Sequence, residues 1–150
     1  MKYITLFVTM LLLCGGSKVR VKEATSQKWA GGQYQSGYGT DYVVNLKAKA
    51  PSGQFSVDGI FVDDLYIPLR LANMPGQPED RAFRRGEELS WRGGLVYRPD
   101  ENGTMILHRA ENRPAPVAFT GAALIRYTLK GQVKYQEIKE IKELEMLIYP

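Results

Sequence analysis

The chain has 150 residues with 20 basic and 16 acidic side chains, which gives a formal net charge of +4. Its single cysteine and single histidine exclude a disulfide framework and a zinc or copper site built from several His and Cys ligands. Basic and acidic residues are interleaved and do not cluster into a basic stripe, so we expect no nucleic-acid partner. Frequent glycine, valine, isoleucine and tyrosine favour strands and turns.

The amino-terminal segment is typical of an export signal. Lys2 is followed by a mostly apolar run over residues 4–13. A membrane-spanning helix needs about 20 apolar residues, so this run is too short to cross a bilayer. A basic residue before an apolar run of this length is typical of a secretory signal. We therefore expect residues 1–13 to be a signal peptide.

Cys14 directly follows the apolar run, and the segment Leu11–Gly15 resembles a bacterial lipobox. In a lipobox the cysteine becomes the lipid-modified first residue of the mature protein, although Ala, Gly or Ser usually precedes it where this chain has Leu13. Two alternatives stay open, a plain signal peptide cleaved after Gly16 or Ser17 and an uncleaved anchor. We expect lipid attachment, such as palmitate, at Cys14 and a location in the bacterial cell envelope, at the outer membrane.

Residues 14–28 contain many charged and hydroxyl side chains and few apolar ones. This composition predicts a flexible tether. Trp29 then opens the folded part, and residues 29–150 are expected to form a single domain. A chain of about this length can bury roughly 70% of its surface, which is enough for a core without disulfides.

Alternation of apolar and polar residues predicts strands over most of residues 41–99. Pro68 indicates an edge strand or a bulge, Gly93–Gly94 a bend or a bulge, and residues 72–85 a long loop. The apolar residues expected to share one face within each strand are Tyr42, Val44, Leu46 and Ala48; Phe55, Val57 and Phe61; Leu65, Ile67, Leu69 and Leu71; and Leu89, Trp91, Leu95 and Tyr97.

The carboxy-terminal third continues this pattern. Residues 99–103 form a strong turn signal, and residues 122–129 read as a strand. A three-residue loop at 129–131 would pair Tyr127 with Val133 and place the odd-numbered apolar residues of both strands on one face. Residues 138–148 are left open between extended chain and a short helix.

Seven or eight short strands, turns about every ten residues and no long helix predict an all-β fold. Strands that are apolar on one face and polar on the other pair mainly antiparallel. We therefore expect an antiparallel β-sandwich that is immunoglobulin-like in outline but lacks the cysteine pair.

We expect no catalytic residues, no metal and no cofactor. His108 lies in an alternating stretch and is interpreted as a surface strand histidine, and no serine lies in a nucleophile-elbow sequence. The acidic pairs Asp63–Asp64 and Asp100–Glu101 are explained by turns and do not have EF-hand spacing.

Two groups of side chains are candidates for ligand binding. Trp29, Tyr34 and Tyr38 lie in or beside a glycine-rich segment, where an exposed ring could stack on a sugar or a peptide. Arg84 and Arg85 belong to a denser basic stretch that could contact anionic glycans or lipid headgroups. Ordinary packing at a sheet end and a solvated loop are the alternatives.

The segments 29–32 and 36–42, together with the closing Leu147–Pro150, resemble small uncharacterised lipoproteins of Bacteroidota-type bacteria. The resemblance implies an envelope location and a small β-domain, and it supplies no catalytic residues. We therefore expect a non-enzymatic, lipid-anchored protein that contacts the membrane through its lipid and binds or scaffolds an envelope protein or glycan. The alternative is a small glycan-binding protein or hydrolase that uses residues 31–42 and 81–92.

Overall fold

The computed structural model describes residues 18–73, 77–78 and 81–150. The expected signal peptide and Cys14 lie outside these residues. Within them, no helix is long and apolar enough to cross a membrane.

The described chain forms eleven β-strands and one 3₁₀ turn at Tyr34–Ser36. The strands are β1 (Val21–Ala30), β2 (Tyr38–Lys47), β3 (Phe55–Val62), β4 (Leu65–Pro68), β5 (Arg70–Leu71), β6 (Glu88–Pro99), β7 (Met105–His108), β8 (Glu111–Asn112), β9 (Ala123–Leu129), β10 (Gln132–Ile138) and β11 (Lys142–Ile148).

The strands are arranged in two sheets. Sheet A has the order β11-β1-β2-β6-β5, and its sixth strand, β7, also pairs with β6. Sheet B has the order β10-β9-β3-β4-β8. Every pairing is antiparallel except that of β1 with β11. The prediction of an all-β sandwich is confirmed, with more strands than the seven or eight expected.

The core lies between the two sheets and contains side chains from both. Strand β2 contributes Tyr42, Val44 and Leu46, which are buried on one face as their alternation predicted. Ile60 and Ile125 of sheet B face them and are fully buried. Trp91 belongs to the same core, and His108 is exposed on β7, both as expected.

Sheet B also carries a small apolar cluster on its other face. Phe61, Tyr66 and Leu124 form this cluster, and the guanidinium of Arg113 lies 5.8 Å and 5.1 Å from the centroids of the two rings. The register of β3 shifts at Asp58, so that residues after it change sides. The prediction that Phe61 shares a face with Phe55 and Val57 is therefore wrong.

The expected tether over residues 14–28 is wrong for residues 21–28, because β1 is a strand that lies between β2 and β11. The folded part begins before Trp29, since Val19 is already buried and its backbone exchanges two hydrogen bonds with the Gln136 amide, at 2.6 Å and 2.7 Å. Strand β1 is rich in Lys, Glu, Ser and Thr because much of its surface stays accessible.

The three-residue loop predicted for the β9–β10 hairpin is also wrong. Lys130 and Gly131 form a two-residue turn with φ of 50° and 77°, and Tyr127 pairs with Lys134. Positive φ at both central residues is the requirement of a type I′ turn. The apolar residues of β10 need not share the core face, because Tyr135 packs against the Phe61 cluster on the other side.

The strand assignments and pairings test three further expectations. Strand β6 passes through Gly93–Gly94 with no register shift, so the predicted bulge is absent there. Residues 142–148, left open in the sequence, form β11. Strand β4 ends at Pro68, after which the chain leaves sheet B and joins sheet A as β5. The edge strand predicted from Pro68 is not found, because β4 lies between β3 and β8, although β8 pairs only with residues 65–66 and does not reach Pro68.

Candidate binding face

The face of sheet A that is directed away from the core, here called the outer face, carries the candidate site. Directly opposed residues of neighbouring strands point to the same side of a sheet. The registers therefore place three cross-strand rows on the outer face: Lys142, Thr25, Val43, Arg92 and Arg70; then Leu144, Gln27, Asp41 and Gly94; then Leu147, Trp29, Gly39, Val96 and His108.

A cavity of about 1040 Å³ opens on this face and is called the arginine cavity below. It lies beside a gap in the strand pairing along the edge of β6 that is away from β2. On that edge β5 pairs with residues 91–92 of β6, and β7 pairs only with residues 96–99. No strand of the described chain pairs with β6 between them on that side. The charged and polar side chains that line the cavity are Gln27, Asp41, Arg70, Arg92, Arg109 and Glu111.

Two glycines of β6 line the arginine cavity. A Cβ at Gly93 would lie 2.1 Å from the carbonyl oxygen of Pro68, and one at Gly94 would lie 2.7 Å from Oδ1 of Asp41. Such distances are far shorter than van der Waals contact. Glycine therefore lets the chain crossing at Pro68 approach the backbone of β6 closely.

The arginines of the cavity have no acidic partner among the described residues. Arg70 and Arg92 are directly opposed on β5 and β6, and neither they nor Arg109 forms an ion pair within that part of the chain. Like charges directly opposite each other destabilise a sheet. Asp41 and Glu111 line the same cavity without pairing with these arginines.

Besides lacking an acidic partner, Arg109 has an unusual backbone conformation. Its φ is 65°, in the left-handed region that residues other than glycine adopt infrequently. Among the residues that the structure describes, the other two non-glycine residues with positive φ, Asp63 and Lys130, lie in tight hairpin turns. Arg109 instead lies where the chain leaves β7 for β8, on the wall of the arginine cavity.

These side chains offer hydrogen-bonding groups of both kinds. Each guanidinium is a planar fork that can donate two parallel hydrogen bonds to a carboxylate or phosphate group. The carboxylates of Asp41 and Glu111 accept hydrogen bonds, and the amide of Gln27 does both. No group of three or more His, Cys, Asp or Glu side chains in the described ranges is placed to hold a metal ion.

Tyr42 also borders the arginine cavity, although its ring belongs to the core. Burial raises the pKa of its phenol, and the negative charge of Asp63 raises it further. The Tyr42 phenol is therefore neutral at physiological pH.

A second, smaller cavity of about 460 Å³ is lined by Trp29 and is called the Trp29 pocket below. The indole of Trp29 lies over Gly39, where a Cβ would be 2.9 Å from Cζ2 of the ring. Tyr149 meets the same indole edge-on, with centroids 6.3 Å apart. The other walls include Gln33, Ser36 and Arg98.

The structure separates the residues that the sequence grouped as ligand-binding candidates. Trp29 lines a pocket, whereas Tyr34 is exposed and donates a hydrogen bond to the carbonyl of Gly103 at 3.0 Å. Tyr38 stacks on Tyr97 with centroids 5.3 Å apart. Neither of these two tyrosines lines the cavities described above.

Arg84 and Arg85 are exposed in the connection between β5 and β6 and line neither cavity. The arginines that do converge come from three separate segments, two strands and the β7–β8 connection. Of these three arginines, Arg92 has a local sequence signal, because it lies on a predicted strand directly before Gly93–Gly94. Its opposition to Arg70 depends on which strands pair, which local pattern does not specify.

Comparison with models of known families, with curated proteins and with solved structures gave no match. No relative therefore supplies a function for the outer face.

Proposed function

We propose that the protein is a non-enzymatic, lipid-anchored binding protein of the bacterial cell envelope, which holds another envelope component on the outer face of sheet A. The observation that carries this proposal is the arginine cavity, where Arg70, Arg92 and Arg109 surround a large concave space without acidic partners among the described residues. Concave sites with a few convergent polar groups are the usual form of ligand sites.

The amino-terminal sequence supports the anchored location. Residues 1–13 read as a signal peptide and Cys14 as the acylated residue. Each buried CH₂ of a lipid chain contributes about 0.8 kcal/mol, so several acyl chains hold a protein firmly in a bilayer.

The anchor would keep the domain close to the membrane surface. Val19 is already packed into the core, so only residues 15–18 separate it from Cys14. An extended chain from Cys14 to Val19 spans about 17 Å. On this proposal the ligands that reach the arginine cavity are envelope components close to the membrane.

The experiment combines lipid labelling with partner capture in a bacterial host. The wild type and Cys14→Ser are grown with a palmitate analogue, and intact cells are crosslinked before purification. We expect label on the wild type only, and a reproducible crosslinked partner that Arg92→Gln reduces. An unlabelled wild type that begins at Met1 and stays in the aqueous phase of a detergent separation would contradict the proposal, and so would repeated capture of no partner.

A second candidate function, glycan binding, is favoured by the Trp29 pocket. An indole that lines a concave surface beside polar groups is suited to stacking on a sugar ring. Trp29→Ala should then abolish binding on a glycan array while the protein remains folded. Unchanged glycan binding by this variant would exclude the pocket from that role.

A further inference from the structure

We infer that the arginine cavity binds an acidic sugar residue of a glycan, with the carboxylate or phosphate group on the arginines and the hydroxyl groups on Asp41 and Glu111. This inference rests on the proposed function, because it takes the outer face as the binding surface. It adds the chemical class of the ligand and the part that each side chain plays.

The opposed pair Arg70 and Arg92 is suited to clamping an anionic group. Directly opposed residues of an antiparallel pair have Cβ atoms about 5 Å apart, so both guanidinium groups can reach one anion. Neither arginine is neutralised by an acid in the described chain. An anion bound between the two guanidinium groups would offset the repulsion between them.

Arg109 adds a third guanidinium to the lining of the cavity, from the connection after β7. Left-handed backbone at a residue other than glycine is unfavourable and persists only where the surroundings impose it. At Arg109 it occurs on the cavity wall. The three arginines thus approach the cavity from β5, from β6 and from the β7–β8 connection.

The carboxylates distinguish an acidic sugar from a simple anion. Asp41 and Glu111 line the same cavity and would repel a bare phosphate or an anionic headgroup. Sugar hydroxyls are hydrogen-bond donors that a carboxylate accepts with charge-assisted strength. A ligand with one anionic group and several hydroxyls therefore matches both sets of side chains.

The Trp29 pocket provides a place for a neighbouring part of the same glycan. Trp29 and Arg92 lie on the outer face, two strands apart and four residues along the strand direction. Strand spacing and residue rise put their Cα atoms about 17 Å apart. An oligosaccharide could therefore lie across the rows and contact both sites.

The test is binding of the full-length protein, in detergent micelles, to an array of glycans. The array carries carboxylate- and phosphate-bearing glycans, each with a matched neutral form. We expect the wild type to bind acidic glycans at least tenfold more tightly than their neutral forms. Arg92→Gln and Arg70→Gln should each weaken acidic binding at least tenfold, to about the level of the neutral forms.

Arg84→Gln is the matched control, because it removes the same charge from an exposed arginine outside the cavity. It should bind as the wild type does. Thermal unfolding separates loss of the site from loss of the fold. Arg92→Gln should unfold no earlier than the wild type, since it relieves a like-charge contact.

Three results would overturn the inference. They are equal binding of acidic and neutral glycans, wild-type binding by Arg92→Gln, and retention on vesicles of anionic lipid that exceeds binding to every glycan. If the array shows no binding while crosslinking in cells still captures an Arg92-dependent partner, the ligand class is wrong and the proposed function stands. If Arg92-dependent capture also fails, both are wrong.

Discussion

Arg70 and Arg92 lie directly opposite each other on β5 and β6, and neither has an acidic partner among the described residues. By contrast, Arg126 in sheet B forms an ion pair with Asp58 at 3.4 Å. Sheet A therefore keeps an unfavourable contact in the lining of the arginine cavity. Unfavourable local features are common where a protein binds its ligand.

Replacing Arg70 with glutamine should raise stability slightly. Removing a like-charge cross-strand pair is worth a few tenths of a kcal/mol, on the order of 1–2 °C in Tm for a domain of this size. Thermal unfolding at low ionic strength measures the change, and added salt should shrink it because salt screens exposed charges. A lower Tm for Arg70→Gln would show that the arginine has a stabilising contact instead.

Ile125→Ala should destabilise the domain by about 2–5 kcal/mol. Ile125 is fully buried between the sheets, so the change removes apolar contacts and leaves a cavity. Urea unfolding measures the loss. Ile106→Ala is the control, because Ile106 is 41% exposed and should cost far less. Equal losses for the two variants would contradict the position of the core.

Asp58→Ala should cost about 1–3 kcal/mol, because Asp58 accepts a hydrogen bond from the Thr128 hydroxyl at 2.8 Å and pairs with Arg126 at 3.4 Å. Both side chains of the ion pair are mostly shielded from solvent. Lys28→Ala breaks the exposed pair with Glu143 and should cost no more than about 1 kcal/mol. Urea unfolding of both variants distinguishes them, and equal losses would contradict this difference.

Glu137→Gln should flatten the acid limb of the stability curve. Hydrogen bonds lower the pKa of Glu137, chiefly from the backbone N–H of Gly121 and also from the Thr120 side chain and backbone. Because folding lowers the pKa of this carboxyl group, the ionised Glu137 stabilises the fold at pH values above its ordinary pKa of 4.5. This contribution to stability is lost as the pH falls through the lower pKa of the folded state.

The measurement for Glu137 is Tm as a function of pH from 7 to 3. The wild type should exceed Glu137→Gln at neutral pH, and the two curves should converge in acid. Glu140→Gln, an exposed change in the same segment, is the control and should run parallel to the wild type. Parallel curves for wild type and Glu137→Gln would contradict the carboxylate's role.

Gly93→Ala should destabilise the domain by about 1–3 kcal/mol, since its Cβ would lie 2.1 Å from the carbonyl oxygen of Pro68 and must displace the chain crossing. Arg70 follows that crossing, so the variant should also weaken ligand binding. Thermal unfolding and glycan binding test the two effects. A Tm within a degree of the wild type would mean that the crossing moves freely.

The sequence predicts best those strands that have one face in the core and the other face more accessible to solvent. Strand β2 has a buried face and a more accessible one, so its alternation at Tyr42, Val44 and Leu46 marks the core directly. Strand β1 was missed because its polar side chains resemble those of a tether, although β2 and β11 flank it. Its partners, and not its composition, make it a strand.

The hairpin and the site were missed for a related reason. The three-residue loop assumed that all apolar residues face one core, whereas Tyr135 packs on the far side of sheet B. Arg70, Arg92 and Arg109 converge only because two short strands share one edge of β6. Trp29 was recognisable as a local feature, but long-range pairing decides which residues surround it.

The parallel pairing of β1 with β11 has a consequence for the order of assembly. Strand β1 comes from near the start of the described chain and β11 from near its end. A polypeptide synthesised amino end first would have β1 with one flank unpaired until residues 142–148 emerged. Such distant contacts form slowly, so we expect sheet A to close last, and until it closes the open flank of β1 is a strand edge on which other chains could aggregate.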